Sequence, residues 1–242
     1  PNIKLNEKYY KFLKMFSCPV LPMLYESAEL TKVSINAFLA ASVAMSNTLA
    51  EISEKIGANW SDVIPSLKLD KRIGQYSYIK PGLGLSGGNI ERDLYTIAQL
   101  GKKYGTQFNT VNAIIENSQH RKDWLWKKFK DTSIFEFKNS KIGILGLSYK
   151  ENTSSIKNAP SINFIDKLSA YRVSVHDPLV KTTLPDFVTF FEKIYDCIEG
   201  VDLLVLATPW SDYKNLDLAR VKEIMRGNTI IDPYELINYD LA

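Results

Sequence analysis

Four short apolar runs recur after Lys141, and they constrain the fold more than any other feature of the chain. They are "KIGILGLSY", "RVSVHDP", "VDLLVLATP" and "NTIIDP". Each is rich in Val, Ile or Leu and stops at Gly, Ser, Pro or Asp, as strands buried on both faces do. Helical stretches separate them: "PSINFIDKLSA", a short helix within "VTFFEKIYDCIEG", and another before "NTIIDP". Strands alternating with helices imply a parallel sheet with right-handed crossovers. A Rossmann-like α/β unit is therefore expected over 139–242.

The preceding residues have a different texture. In "ESAELTKVSINAFLAASVAMSNTLAEISEKIG", Val33, Ala37, Ala41, Met45, Leu49, Ile52 and Ile56 recur at helical steps. Ser27 reads as the N-cap and Gly57 as the C′ residue of one helix of roughly 28 residues, longer than most globular helices. Such a helix suits pairing with a copy of itself, and Ala37, Ala40, Ala41, Ser42 and Ala44 predict close approach at that seam. "NWSDVIPSL" reads as a short helix interrupted at Pro65, "YSYI" as a short strand, and the stretch from Ile90 to Phe129 as further helices. The expected fold class is α/β: an all-α unit over 1–138 built on a long central helix, then the parallel-sheet unit.

Bulk properties exclude several functions. A formal net charge of +3, with basic residues spread out, does not suit nucleic acid. No apolar run approaches the roughly 18 residues of a membrane span, and no signal-peptide pattern opens the chain. Cys18 and Cys197 form neither a metal spacing nor a disulfide framework, so a reducing cytoplasm and no metal are expected.

"IKPGLGLSGGNIERDL" holds a literal G-x-G-x-x-G at Gly82, Gly84 and Gly87. A dinucleotide fingerprint also needs a strand before it, a helix after it and an acidic residue ending a second strand about 20 residues on. Here more helix follows. Gly143 and Gly146, with Asp177 ending the next strand, come nearer to the pattern but lack its third glycine. The residues alone leave the loop between a phosphate cradle and an active-site loop of another kind. Asn89 also has two readings: an N-cap for a helix starting at Ile90, or a donor to a ligand oxygen at a helix N-terminus.

"SAELTKVSINAFLA", "DKRIGQYSYIKPGLGLSGGNIERD", "ILGLSYKENTSSIKNAPS", "VSVHDP", "VLATPW" and "IIDPYE" occur in the order seen in the nucleotide-sugar 6-dehydrogenases. The chain resembles that UDP-glucose and GDP-mannose dehydrogenase family from about Pro19 to Ile237. The resemblance implies a helical central domain that pairs two subunits and a Rossmann-like domain that binds the nucleoside diphosphate. The family's NAD-binding domain is not among these residues. NAD is thus implied for the full-length family enzyme, and neither NAD binding nor activity is expected of this chain alone.

The resemblance makes 79–93 an active-site loop. It assigns Lys32, Asn36 and Asp93 to catalysis. Arg72 (reaching across a homodimer formed by the helix 28–56), Tyr78, Gly82, Gly84, Gly87 and Lys150 fall to a UDP-sugar or related nucleotide sugar. Lys157 takes a weak cofactor-side position.

The family pattern fails at several points. Asn89 stands where the family has its catalytic cysteine, so the covalent thiohemiacetal route is lost, because an amide is no nucleophile. Glu91 replaces proline, Arg92 lysine, Ser86 glycine, Ser155 aspartate, and Lys157 and Tyr234 arginines. Neither substitute reproduces a bidentate arginine fork on phosphate. Three functions remain open at this point: part of a UDP-sugar dehydrogenase, a non-catalytic nucleotide-sugar-binding or assembly protein, and a dehydrogenase of altered chemistry.

Overall fold

The computed structural model describes residues 5–237. A short amphipathic helix α1 (Glu7–Lys14), with none of its residues buried, precedes α2 (Tyr25–Ile56), which runs 32 residues. Helix α2 starts earlier than Ser27. Leu24 holds the cap position without a side-chain cap, and Ser27 lies inside, its carbonyl accepting from Thr31 Oγ1 at 2.7 Å. Gly57 ends the helix at φ 74°, in the left-handed region that glycine adopts freely.

Helix α3 (Trp60–Leu69) continues through Pro65 rather than stopping there. No strand forms over Tyr76–Ile79. The carbonyls of Tyr78 and Ile79 are instead taken by side chains, Ser46 Oγ at 3.5 Å and Trp60 Nε1 at 3.0 Å. Helices α4 (Asn89–Tyr104) and α5 (Asn109–Lys122) pack against α2.

This packing corrects the expected use of the small residues of α2. Ala40 and Ala44 are buried and Ala37 and Ala41 half-buried against Leu85, Leu94 and Ile114 of the same chain. Small side chains let α4 and α5 approach α2, while Ile35, Phe38, Met45, Leu49, Ile52 and Ile56 form the outward, exposed stripe. One α2 window, of mean hydropathy 1.3, is also long and apolar enough by composition to cross a membrane, which the sequence reading did not anticipate. In the fold α2 buries Ser46, Asn47 and Ser53 on its inner face.

Helix α6 (Trp124–Lys130) carries Trp124, Leu125 and Phe129 into the core of the sheet that follows. The sheet contains β1 (Lys141–Leu145), β2 (Arg172–His176), β3 (Val188–Phe190), β4 (Leu203–Leu206) and β5 (Thr229–Ile231), all parallel, in the order β3-β2-β1-β4-β5. The sheet has five strands, not the four expected. The missed one, β3, is a three-residue edge strand whose alternation is too short to read. Helices α6 and α7 (Pro160–Ile165) cover one face; α8 (Ile194–Ile198), α9 (Ser211–Lys214) and α10 (Leu218–Ile224) supply the core of the other. Ile142, Ile144 and Val205 point to the first core, Leu145, Leu204 and Leu206 to the second, as the period of two requires.

Candidate active site

One carboxylate gathers the helical residues. Asp93, on the second turn of α4, is 4% exposed, and its Oδ2 accepts from Lys32 Nζ and from Asn36 Nδ2, the latter at 2.6 Å. Lys32 and Asn36 are four residues apart on α2 and share one face. Arg92 donates to Oδ1 from Nε at 3.3 Å and Nη2 at 3.2 Å. Burial alone would push the Asp93 carboxyl up, but the hydrogen bonds from Lys32, Asn36 and Arg92 outweigh it and hold it below the ordinary value. Asp93 is therefore an anion that orients a lysine. The Lys32 side chain remains 58% exposed, so a ligand can approach it.

Asn89 does not cap α4. The helix begins at Asn89 itself, Gly88 occupies the cap position at φ 119°, and Gly88 O accepts the first helical bond from Arg92 N at 3.1 Å. Two glycines at positive φ, Gly87 and Gly88, turn the chain one residue earlier than expected. Asn89 is exposed, and four residues before Asp93 it shares that residue's face of the helix.

The literal G-x-G-x-x-G is tied back into the protein through three of its N–H groups, which are thereby taken from any phosphate. Gly82 N donates to Asn47 Oδ1 at 2.8 Å, Leu85 N to Ser118 Oγ at 2.8 Å, and Gly87 N to Lys157 O at 3.0 Å. The glycines serve close packing instead. A Cβ on Gly84 would lie 2.7 Å from Ser118 O, and one on Gly87 2.7 Å from a Tyr149 ring carbon. The lysine of position 157 lies over Gly88, where a Cβ would meet its Cε at 2.9 Å.

The turn after β1 does not fit a dinucleotide either. The carboxylate that would meet a ribose, Asp177, accepts from Leu147 N, Ser148 N, Ser148 Oγ and Trp210 Nε1 on one oxygen and from Leu179 N and Val180 N on the other. A Cβ on Gly146 would meet Thr208 Cβ at 2.4 Å. Among the described residues, no group of three His, Cys, Asp or Glu side chains could hold a metal.

A cavity of about 560 Å³ opens where β1, β4 and β5 end, the edge at which parallel sheets place ligands. Tyr78, Lys80 and Pro81 of the loop form one wall. Glu151, Lys214, Pro233 and Tyr234 form the other. Burial pushes the Tyr234 phenol up, and its hydroxyl donates to Ala207 O at 3.4 Å. Of the six residues expected to hold the ligand only Tyr78 lines this cavity; Arg72, Gly82, Gly84, Gly87 and Lys150 do not. Lys150 is exposed beside it, its Nζ 5.6 Å from the Tyr149 ring centroid. Arg72 is exposed and doubly bonded to its neighbour Asp70, at 3.0 and 2.6 Å.

A larger cavity, of about 880 Å³, lies between α10 and β5, away from these residues.

Two buried arrangements escaped the sequence reading. Asn47 and Arg121 hold Gly82 from opposite sides, Arg121 Nε donating to Gly82 O at 2.8 Å. Glu91 pairs with Lys122 at 2.5 Å and accepts from Asn158 Nδ2 at 2.6 Å, tying α4 to α5 and to the sheet unit. A signal existed for the first. Asn47 and Arg121 continue the inward faces marked by Ala40 and Ala44 on α2 and by Ile114 and Ser118 on α5, where a polar residue needs a partner.

Residues 26–119 match the UDP-glucose/GDP-mannose dehydrogenase family, central domain, and residues 143–239 match the same family's UDP binding domain. The chain belongs to this family. The UDP-glucose 6-dehydrogenase TuaD of Bacillus subtilis (strain 168) is 30% identical over 231 residues, covering 93% of this chain and 50% of the relative. A UDP-glucose 6-dehydrogenase of Rickettsia typhi is 28% identical, covering 89% and 51%. The chain thus spans about half the length of the curated relatives it matches. A solved UDP-glucose dehydrogenase from Pyrobaculum islandicum shares the fold with a TM-score of 0.77 at 23% identity, over 95% of this chain and 57% of that one.

Proposed function

We propose that this chain supplies the dimerising and nucleotide-sugar-binding parts of a UDP-sugar dehydrogenase. One observation carries the reading. A single loop starts as a wall of the 560 Å³ cavity at Tyr78–Pro81 and ends at the first turns of α4, where Asp93 meets Lys32 and Asn36. A nucleotide sugar suits that layout, with its diphosphate near Lys80, Lys214 and Lys150 and its sugar extending to the Lys32 ammonium. Asp93, itself held by Asn36, fixes that ammonium, which donates a hydrogen bond to a sugar oxygen. The outward stripe of α2, with Phe38 78% exposed, pairs with a second copy. Dimerisation brings Arg72 of one copy to the other's site.

The test is calorimetry with UDP, GDP and their glucose or mannose conjugates. UDP compounds are expected to bind in the micromolar to millimolar range, with Lys150→Ala weakening them. Absence of binding at millimolar UDP, or no effect of Lys150→Ala, overturns the nucleotide-site reading.

Asn89 favours a second reading, a nucleotide-sugar binder without the oxidation chemistry. Position 89 faces the cluster with an amide where the family carries a thiol, so no thioester can form there. Steady NADH production from UDP-glucose by the purified chain would rule this reading out.

A further inference from the structure

Five buried side chains and the Lys157 carbonyl hold backbone N–H and C=O groups of the loop from Tyr78 to Gly87, and two of the side chains converge on Gly82. Asn47 is 1% exposed and its Oδ1 accepts from Gly82 N, while Arg121 is 2% exposed and its Nε donates to Gly82 O. The two come from different helices and grip both polar groups of one residue. Gly82 also lies under Tyr234, with a Cβ position 3.9 Å from that ring.

Stability does not explain Arg121. A buried guanidinium loses its hydration, and here it recovers one good hydrogen bond and a stack on Trp124 at 4.9 Å. Its nearest carboxylate, Glu54, is 3.8 Å away, and Nη1 has no hydrogen-bond partner among the described residues. Desolvation offsets much of what a buried charge gains from its partners, so a buried guanidinium is weak evidence for net stabilisation. Asn47 Nδ2 is likewise buried without a partner among the described residues. Groups kept at such a cost point to a required geometry. The geometry they impose is local: Tyr78, Lys80 and Pro81, the cavity wall, immediately precede the gripped residue.

We propose that Asn47 and Arg121 are positioning residues that clamp Gly82 and so set the ligand-facing wall Tyr78–Pro81 of the cavity. The effect on ligand rests on reading that cavity as the nucleotide-sugar site; the clamp itself does not. Three variants of the full 242-residue chain test it: Arg121→Met, Asn47→Leu, and Asn47→Asp, which keeps the acceptor. Arg121→Met and Asn47→Leu are expected to speed amide hydrogen exchange over 79–85 at least tenfold. They should weaken UDP binding at least fivefold, and Arg121→Met should leave the unfolding midpoint unchanged or higher. Asn47→Asp should retain slow exchange at Gly82.

Unchanged exchange in both disruptive variants overturns the clamp, as does a fall in the Arg121→Met midpoint that parallels the faster exchange. If the unaltered chain binds no UDP, the nucleotide-site reading fails and exchange alone decides the clamp. If it binds UDP and Arg121→Met binds equally well despite faster exchange, the positioning role is overturned.

Discussion

Asp93 and Asp177 are both buried, and in both the hydrogen bonds received outweigh burial and hold the carboxyl below the usual range. Their partners differ in kind. Asp177, in the sheet half, is bonded by four backbone N–H groups and the side chains of Ser148 and Trp210, all buried or half-buried. Asp93, in the helical half, is bonded among the described residues only by side chains, and the two charged ones, Lys32 and Arg92, stay largely open to solvent. Backbone donors cannot leave without unmaking the turns they belong to, so Asp177 locks the turn after β1 to the one after β2. A lysine on an exposed stem can exchange its partner for a ligand oxygen, so Asp93 keeps a cation poised. The same side chain is a structural staple in one region and the anchor of a candidate site in the other.

The sharpest way to break this comparison is Asp177→Ala. It strands several buried donors at once and should cost about 3 kcal/mol of stability or more, read as a lower urea midpoint.

Gly87→Ala tests the place where the halves meet, since Gly87 lies at φ 89° and faces the Tyr149 ring. Left-handed strain plus that contact should cost about 2 kcal/mol, and a cost near zero would mean the contact yields freely.

Asp93→Asn should cost only about 1 kcal/mol, because Lys32 is largely exposed and returns to water. An Asp93→Asn loss equal to that of Asp177→Ala would erase the distinction.

The smallest effect is in the pH slope. Both carboxyls titrate below the ordinary aspartate value of about 3.9 when folded, so their stabilisation is complete above that pH and is lost as pH falls through the folded values. Asp232 opposes this, because burial pushes its carboxyl up, so its contribution weakens as pH rises through its own titration. The slope of unfolding free energy between pH 5 and pH 3 (chosen to span the ordinary value of about 3.9) should therefore flatten in Asp177→Asn. The same slope in Asp93→Asn should flatten less if the solvent-exposed Lys32 makes that pairing the weaker one.

Local periodicity determined much of this protein from the sequence alone. Alternation of apolar runs with helices announced a parallel sheet, three- and four-residue spacing announced α2, and Gly57 marked its end. Lys32 and Asn36, one turn apart, had to share a face whatever else the chain did. What periodicity could not carry was the identity of long-range partners. Gly82 meets Asn47 and Arg121 across 35 and 39 residues, and Asp93 meets Lys32 across 61. The glycine pattern at 82, 84 and 87 was legible, yet only the tertiary structure decided that the N–H groups of Gly82, Leu85 and Gly87 face side chains and a carbonyl rather than a phosphate. The alanines of α2 were legible as a close-packing seam, but their direction, inward against α4 and α5, depended on which helices came to lie beside them. A hydrogen bond or a packed face is completed by two distant segments, and a sequence states each half without stating the pairing.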